Sequence, residues 1–187
     1  MKVKICEKHR LRVLILSFVL CFSSLVSSSD VPIIDSNSRF HPVFGSLGMV
    51  VSQEQVASEI GAAILTKGGN AIDAAVATGF ALAVTLPRAG NLGGGGFMVI
   101  HLADSKDTIT IDYREMAPIA ATTEMFLDES GEVDNKKARY SIYSSGVPGT
   151  VAGLLYAHEK FGSLSLAEVI TPAIDLAKNG IEVSIDL

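Results

Sequence analysis

The stretch that organises this chain is PRAGNLGGGGFMVIHLADSKDTITIDYREMAP, residues 87–118. Its four consecutive glycines, residues 93–96, lose more backbone entropy on folding than other residues would, so such a run marks a sharp turn or a close approach of bare backbone. Two strand-like runs, residues 97–103 and 108–113, follow and are joined by a short polar turn. The pattern predicts a hairpin that returns Arg114 to the neighbourhood of the glycines.

The glycine run does not have the spacing of a nucleotide-binding loop. A dinucleotide loop has glycines at positions i, i+2 and i+5, which would require a glycine at Met98 or Val99. A P-loop ends in Gly-Lys-Ser or Gly-Lys-Thr, whereas Phe97 follows this run. We therefore disfavour phosphate binding, and a bend between a helix and a strand is the simpler interpretation of an isolated run.

The first residues differ in kind from the rest of the chain. Residues 2–12 carry five basic side chains and one acidic side chain, and they are followed by an apolar run over residues 13–26 and by three serines. This order is typical of a signal peptide. A membrane anchor is the competing interpretation, but the apolar run is shorter than the ~20 residues that a spanning helix needs. We predict a signal peptide over residues 1–28 and a secreted protein, periplasmic or extracellular.

Residues 29–187 are predicted to form the mature, acidic part of the protein. Without the leader, the formal net charge changes from -5 to -9. Nucleic acids and anionic membrane surfaces attract basic patches, so neither is expected as a partner after the leader is removed. Both cysteines, Cys6 and Cys21, lie in the leader, so the mature part can form neither a disulfide nor a thiol nucleophile.

The rest of the pattern predicts helices separated by turns. Asn70 can cap a helix over residues 71–85 that is apolar on most sides and therefore buried. The mostly apolar strand after the glycines is expected to be covered on both faces. The other expected segments are a strand over 49–51, a helix from a Ser52–Gln55 capping box to Lys67, a weak helix over 120–126, a charged loop over 127–139, a helix over 150–160 closed by Gly162, and a helix from a Ser165–Glu168 capping box to Gly180 that buries Leu166, Val169, Ile170, Ala173, Ile174 and Ala177.

Other candidate chemistry in the sequence is weak. His101 lies alone on an apolar strand. A histidine in such a position is more often a hydrogen-bonded packing residue than a catalyst. His158 and Glu159 lack the second histidine of a zinc-binding helix, and no metal is predicted. The residues around Ser144 do not match the Gly-x-Ser-x-Gly turn of serine hydrolases.

Four motifs in order carry a resemblance to a known family. They are GGNAIDAA (residues 68–75), GNLGGGGFM (90–98), DYREMAP (112–118) and GVPGTVAG (146–153). Together they resemble the large-subunit motifs of the gamma-glutamyltranspeptidases, also called glutathione hydrolases. The resemblance covers nearly all of the chain from about residue 48 onward.

The resemblance implies an α+β chain with the four-layer αββα fold of N-terminal-nucleophile hydrolases, incomplete within these residues. In that family a precursor cuts itself, and the threonine freed at the new N-terminus attacks the gamma-glutamyl amide with its own amine as base. That threonine belongs to the small subunit of the same precursor and is expected beyond Leu187. Residues 29–187 then resemble the N-terminal part of the large subunit, with no catalytic residue and no cofactor. The isolated chain is expected to be inactive.

The adjacent threonines Thr122 and Thr123 are not expected to supply the nucleophile. Glu124 follows them where the family has a histidine, and the pair lies close behind Pro118. A helix-capping role is the preferred interpretation of this pair.

Arg114 is the candidate substrate-binding residue. Its planar guanidinium can bind a free carboxylate through two parallel hydrogen bonds. From the residues alone, a structural salt bridge with Asp112 or Glu115 is an equal alternative. The resemblance implies that Arg114 holds the alpha-carboxylate of the gamma-glutamyl group. It also implies glutathione or other gamma-glutamyl compounds as substrates, with amino acids, peptides or water as acceptors.

Two further functions stay open at the level of sequence. A cephalosporin-type acylase shares the scaffold and would act on a related amide. A secreted, non-catalytic protein that binds gamma-glutamyl ligands or pairs with another subunit is the alternative outside enzymology. In an isolated chain, the hairpin over residues 97–113 is expected to expose a sheet edge and an apolar face.

Overall fold

The structure, a computed structural model, describes residue 42 and residues 44–183. The residues from Gly45 onward form one compact unit. The predicted signal peptide lies outside the described residues. The elements are α1 (Gln55–Thr66), α2 (Ala71–Thr85), β1 (Phe97–His101), β2 (Thr108–Asp112), α3 (Asn135–Tyr140), a 3₁₀ turn (Ile142–Ser144), α4 (Thr150–Phe161) and α5 (Leu166–Asn179). None of the described helices is long and apolar enough to cross a membrane. The unit is a mixed α and β arrangement, as expected.

Helix α2 is the centre of the core. It has the predicted bounds, and it contacts α1, α4 and α5. Its small side chains allow close packing: a Cβ added at Gly61 of α1 would overlap the Thr78 hydroxyl, and one at Gly79 would lie 3.0 Å from Leu154 of α4. The apolar pattern on most sides of this helix therefore predicted its burial correctly.

The start of α1 differs from the prediction. Its N-cap is Glu54, and no side chain caps the helix there. Ser52 lies two residues earlier, where its hydroxyl donates to the Glu54 carbonyl at 2.8 Å and its N–H donates to the Ser58 hydroxyl at 2.9 Å. The Ser52–Gln55 capping box is therefore wrong, because Ser58 binds the Ser52 backbone instead. The helix ends at Thr66, one residue before the expected end.

Strands β1 and β2 form the predicted antiparallel hairpin. Phe97 pairs with Asp112 and His101 with Thr108. The described residues cover only one face of β1: Phe97 and Val99 are 66% and 70% exposed, whereas Ile100 on the other face is 4% exposed. This exposed apolar face is the one expected of the hairpin in an isolated chain, and cover on both faces is not provided by the described residues alone. The strand expected over residues 49–51 is also absent, since the described sheet contains only β1 and β2.

Residues 120–139 form turns and one short helix. The weak helix expected over 120–126 is absent, so Thr122 and Thr123 cap no helix, and the Thr123 hydroxyl donates to the Glu124 carboxylate. Helix α3 forms inside the expected charged loop. The Asp134 side chain caps it by accepting from the backbone N–H groups of Lys136 and Lys137. This local cap and the basic side chains in the last turn both favour the helix.

The last two helices follow their sequence signals. Gly162 caps α4, which extends one residue beyond the prediction. The Ser165–Glu168 capping box is present at the start of α5. The predicted apolar face of α5 is only partly buried: Val169 and Ala173 are buried, but Leu166 and Ile174 are 38% and 40% exposed. Within the described residues, α5 packs against α2 along this narrow stripe.

A buried carboxylate joins α2 to the turn between α4 and α5. Asp73 is fully buried and completes the capping box by accepting from the Asn70 N–H at 2.9 Å. It also accepts from the Ser163 hydroxyl at 2.6 Å, the Ser163 N–H at 3.1 Å and the Leu164 N–H at 3.3 Å. His158 Nε2 lies 3.6 Å from it. One side chain thus satisfies donors from two distant parts of the chain.

We predict that Asp73→Asn destabilises the chain by about 2–3 kcal/mol, because an amide replaces the charged acceptor and turns its NH₂ towards N–H donors. The measurement is the free energy of unfolding in urea at pH 7. Asp175→Asn, a change to an exposed carboxylate on α5, is the matched control and should change it by less than about 0.5 kcal/mol. Equal effects of the two substitutions would contradict the role given to Asp73.

The same network predicts the direction of a pH effect. Burial raises the pKa of Asp73, but hydrogen bonds from Ser163, Asn70 and Leu164 outweigh burial and lower it below its usual value. A lowered folded-state pKa gives stability that is present above the unfolded pKa of about 3.9 and is lost as the pH falls through the folded value. The free energy of unfolding should therefore fall more between pH 5 and pH 3 in the unsubstituted chain than in Asp73→Asn. The difference should be about that expected of one titrating carboxyl group.

Candidate functional site

The end of β2 packs against three glycines from two other motifs. A Cβ at Gly95 would lie 2.6 Å from the Tyr113 carbonyl oxygen and 2.8 Å from the Arg114 Cα. A Cβ at Gly149 would overlap the Tyr113 carbonyl, and one at Gly153 would overlap the Tyr113 ring. Real side chains do not approach so closely, so these positions require glycine. The glycine run, the strand end and the start of α4 therefore meet around Tyr113.

Backbone hydrogen bonds fix the same three segments together. The Gly94 carbonyl accepts from the Gly149 N–H at 2.8 Å and the Thr150 N–H at 3.0 Å, two N–H groups at the start of α4. Met116 and Val147 pair through two backbone hydrogen bonds of 3.2 and 2.8 Å. Tyr113 pairs with Gly96 through two further backbone hydrogen bonds of 3.0 and 3.3 Å. Arg114 lies between the Tyr113–Gly96 pair and the Met116–Val147 pair, so its backbone is held from both sides.

The hydrogen bonds at Gly94 join the glycine run to the start of α4. The Gly94 carbonyl lies against the first turn of a helix, where the backbone N–H groups have no partner within the helix. The carbonyl therefore satisfies two of these donors. The structure uses the glycine run as a close contact between backbone segments, which agrees with its poor match to nucleotide-binding loops.

Arg114 has the position predicted for it, at the strand end beside the glycines. Its backbone N–H donates to Asp112 Oδ1 at 3.0 Å, and its side chain is exposed. Among the described residues, the guanidinium makes no ion pair with Asp112 or with Glu115. The salt-bridge alternative left open by the sequence is therefore not what the structure shows.

Arg114 lies on the wall of a cavity of about 500 Å³. One wall is the segment over residues 114–118 and another is the segment over residues 143–146. Met125 and Phe126 contribute apolar surface, and Ser144 contributes a hydroxyl group. A volume in this range is usual for small-molecule sites, and the wall offers both polar and apolar groups.

Tyr113 supports the site through its ring. The ring lies against Gly96 and Gly153, and burial raises the pKa of its phenol above the usual value. The phenol therefore stays neutral at physiological pH. Sequence reasoning had passed over this residue; the signal was the spacing of Gly149 and Gly153, which places two glycines on one face of a helix.

The two histidines in the described part of the chain, His101 and His158, do not line this cavity. The exposed His101 has its Nδ1 3.2 Å from the Thr108 hydroxyl across the hairpin, and His158 belongs to the Asp73 network. Among the described residues, no group of three or more His, Cys, Asp or Glu side chains could hold a metal ion. The chemistry that this site can perform is recognition of an anion by Arg114, in a cavity large enough for a small molecule.

We predict that Gly95→Ala destabilises the chain by about 1–3 kcal/mol, because the added methyl group meets backbone atoms that must shift. Gly93→Ala is the matched control: its Cβ meets only the Asn91 side-chain oxygen, at an ordinary 3.6 Å. Its effect should stay within about 0.5 kcal/mol. Urea unfolding of both variants provides the comparison, and an equally stable Gly95→Ala chain would contradict the close packing around Tyr113.

Comparison with known proteins places this geometry in a family. The family model described as gamma-glutamyltranspeptidase matches residues 57–187. Over 162 residues the chain is 49% identical to the glutathione hydrolase proenzyme of Escherichia coli, covering 86% of this chain and 28% of that protein. It is 44% identical over 149 residues to the acylase ACY 1 proenzyme of Pseudomonas sp. strain SE83, covering 76% of this chain and 26% of that protein.

Solved structures agree with the sequence comparison. The crystal structure of Helicobacter pylori gamma-glutamyltranspeptidase superimposes with a TM-score of 0.74 at 51% identity, covering 76% of this chain and 41% of that chain. Cephalosporin acylase from Bacillus halodurans superimposes with a TM-score of 0.61 at 25% identity, covering 82% of this chain and 29% of that chain. The chain thus spans less than half of each of these relatives. Within that span, its sequence and fold show that it belongs to the gamma-glutamyltranspeptidase family.

Proposed function

We propose that this chain supplies the carboxylate-binding part of an enzyme that transfers or hydrolyses gamma-glutamyl groups. Glutathione and other gamma-glutamyl compounds are the proposed substrates, with amino acids, peptides or water as acceptors. The observation that carries the proposal is the exposed Arg114 guanidinium, which has no ion-pair partner among the described residues and lies on the wall of a small-molecule cavity.

Arg114 suits the alpha-carboxylate of the gamma-glutamyl group for physical reasons. A guanidinium presents two parallel N–H donors that match the two oxygens of a carboxylate. The packing around Tyr113 fixes the backbone of Arg114, so less entropy is lost when a ligand binds. The amide carbonyl of the substrate would then be directed away from Arg114, towards a nucleophile supplied elsewhere.

The nucleophile is proposed to be the N-terminal threonine of a small subunit made by cleavage of the same precursor. The family relatives include proenzymes, which agrees with such processing. In a four-layer αββα fold, further strands would extend the β1–β2 sheet and cover its open face. The exposure of Phe97 and Val99 on that face supports this arrangement. The predicted signal peptide supports the proposal that the protein acts outside the cytoplasm.

An acylase is the second candidate, because two of the relatives carry that name. A glutaryl amide and a gamma-glutamyl amide carry a carboxylate at the same distance from the reacting carbonyl. They differ in the alpha-amino group, which Arg114 cannot recognise. Arg114 would thus serve either reaction, and the choice between the two substrates must come from other residues.

The test uses a chimera in which the matched stretch of the E. coli proenzyme is replaced by that of this chain. Arg114→Lys should raise KM for a gamma-glutamyl anilide by about ten- to a hundredfold, because a single ammonium replaces the two-pronged donor. The kcat value should change much less, since the carboxylate is bound in both the ground state and the transition state.

Arg88→Lys is the matched control, since Arg88 is exposed and does not line the cavity. It should leave KM within about twofold of the parent. Unchanged kinetics of Arg114→Lys would remove Arg114 from the site. Cleavage of a glutaryl anilide with none of the gamma-glutamyl anilide would favour the acylase.

A further inference from the structure

A second cationic side chain, Lys137, lies over an aromatic ring that forms part of the wall of the Arg114 cavity, although Lys137 does not itself line the cavity. Lys137 is half-buried, and its Nζ lies 5.7 Å from the centroid of the Tyr143 ring. Tyr143 forms part of the cavity wall. Within the part of the chain that the structure describes, the Lys137 ammonium makes no ion pair. An aromatic ring therefore holds a positive charge near the cavity without neutralising it.

The segment that carries Lys137 and Tyr143 is fixed by its own hydrogen bonds. The Asp134 carboxylate accepts from the Lys137 backbone N–H at 3.0 Å and is thereby used as the cap of α3. The Lys137 carbonyl accepts from the Ser141 hydroxyl at 2.5 Å, and the Ser141 carbonyl accepts from the Ser144 hydroxyl at 2.6 Å. The segment therefore presents the Tyr143 ring from a compact turn.

The acidic side chain on the cavity wall is Glu115. Its Oε1 lies 3.4 Å from the position that a Cβ on Gly94 would take, so it is directed towards the glycine run. Lys137 belongs to a different segment, the one that carries Tyr143. The cavity is thus lined by Arg114 on one segment and by Tyr143 on another, with Lys137 held over the Tyr143 ring and with apolar Met125 and Phe126 on the wall.

We infer that the Lys137–Tyr143 pair binds the second carboxylate of a peptide substrate, at the end opposite the gamma-glutamyl group. This inference rests on the proposed function. Glutathione carries one carboxylate on its glutamyl residue and one on its glycine, with an uncharged middle. Arg114 would bind the carboxylate of the glutamyl residue, and Lys137 would bind the carboxylate of the glycine. The apolar part of the wall would contact the uncharged middle of the peptide. The pair would therefore determine a preference for peptides over simple amides.

The experiment compares glutathione with its glycine amide, in which the second carboxylate is replaced by a neutral group. In the chimera, glutathione should have a kcat/KM about five- to tenfold higher than the amide, as expected for a partly exposed charged hydrogen bond. Lys137→Met should remove this preference by raising KM for glutathione alone, with the amide and the gamma-glutamyl anilide unchanged. Lys137→Arg should retain the preference.

Lys136→Met is the matched control, because Lys136 is the exposed neighbour and is not placed over the Tyr143 ring. It should keep the preference for glutathione. Tyr143→Leu should weaken the preference, because the ring no longer holds the ammonium in place.

Two outcomes would overturn the inference. One is equal use of glutathione and its amide by the parent chimera, and the other is a preference that survives Lys137→Met. Both outcomes leave the proposed function intact, because the gamma-glutamyl anilide is still cleaved. Failure of the parent chimera to bind or cleave any gamma-glutamyl compound would instead contradict the proposed function.

Discussion

The site depends on contact between bare backbone and the end of strand β2. Tyr113 lies against Gly95, Gly149 and Gly153, where no side chain would fit. This contact brings together the glycine run, the strand end and the start of α4, and it holds the backbone of Arg114 between two sets of hydrogen bonds. Because the backbone is fixed, ligand binding has to order only the side chain of Arg114. Three of the four sequence motifs therefore contribute to a single packing arrangement.

The fourth motif acts at a distance from the cavity. Asp73 lies in the capping box of α2 and accepts hydrogen bonds from the turn at Ser163 and Leu164. It orders the α4–α5 connection against the most buried helix, and α4 in turn carries Gly149 as its N-cap and Gly153 in its first turn. The carboxylate thus supports the site through the position of α4.

Local signals predicted the parts of the fold that depend on local interactions. Asn70 correctly predicted the start of α2, and the Ser165–Glu168 capping box correctly predicted the start of α5. The predicted hairpin correctly located Arg114 at the end of β2. Features that depend on particular side-chain contacts outside these short signals were missed. Ser52 bonds to Ser58 rather than capping α1, Asp73 binds a turn 90 residues away, and the Lys137–Tyr143 pair forms only where α3 meets the turn that follows it.

The most direct test of this account is a crystal structure of the chimera with a bound gamma-glutamyl ligand. The account predicts that both N–H donors of the Arg114 fork bind the alpha-carboxylate at about 2.7–2.9 Å, with Tyr113 still packed against Gly153. A structure in which another residue binds the carboxylate, while Arg114 pairs with Asp112 or Glu115, would contradict it.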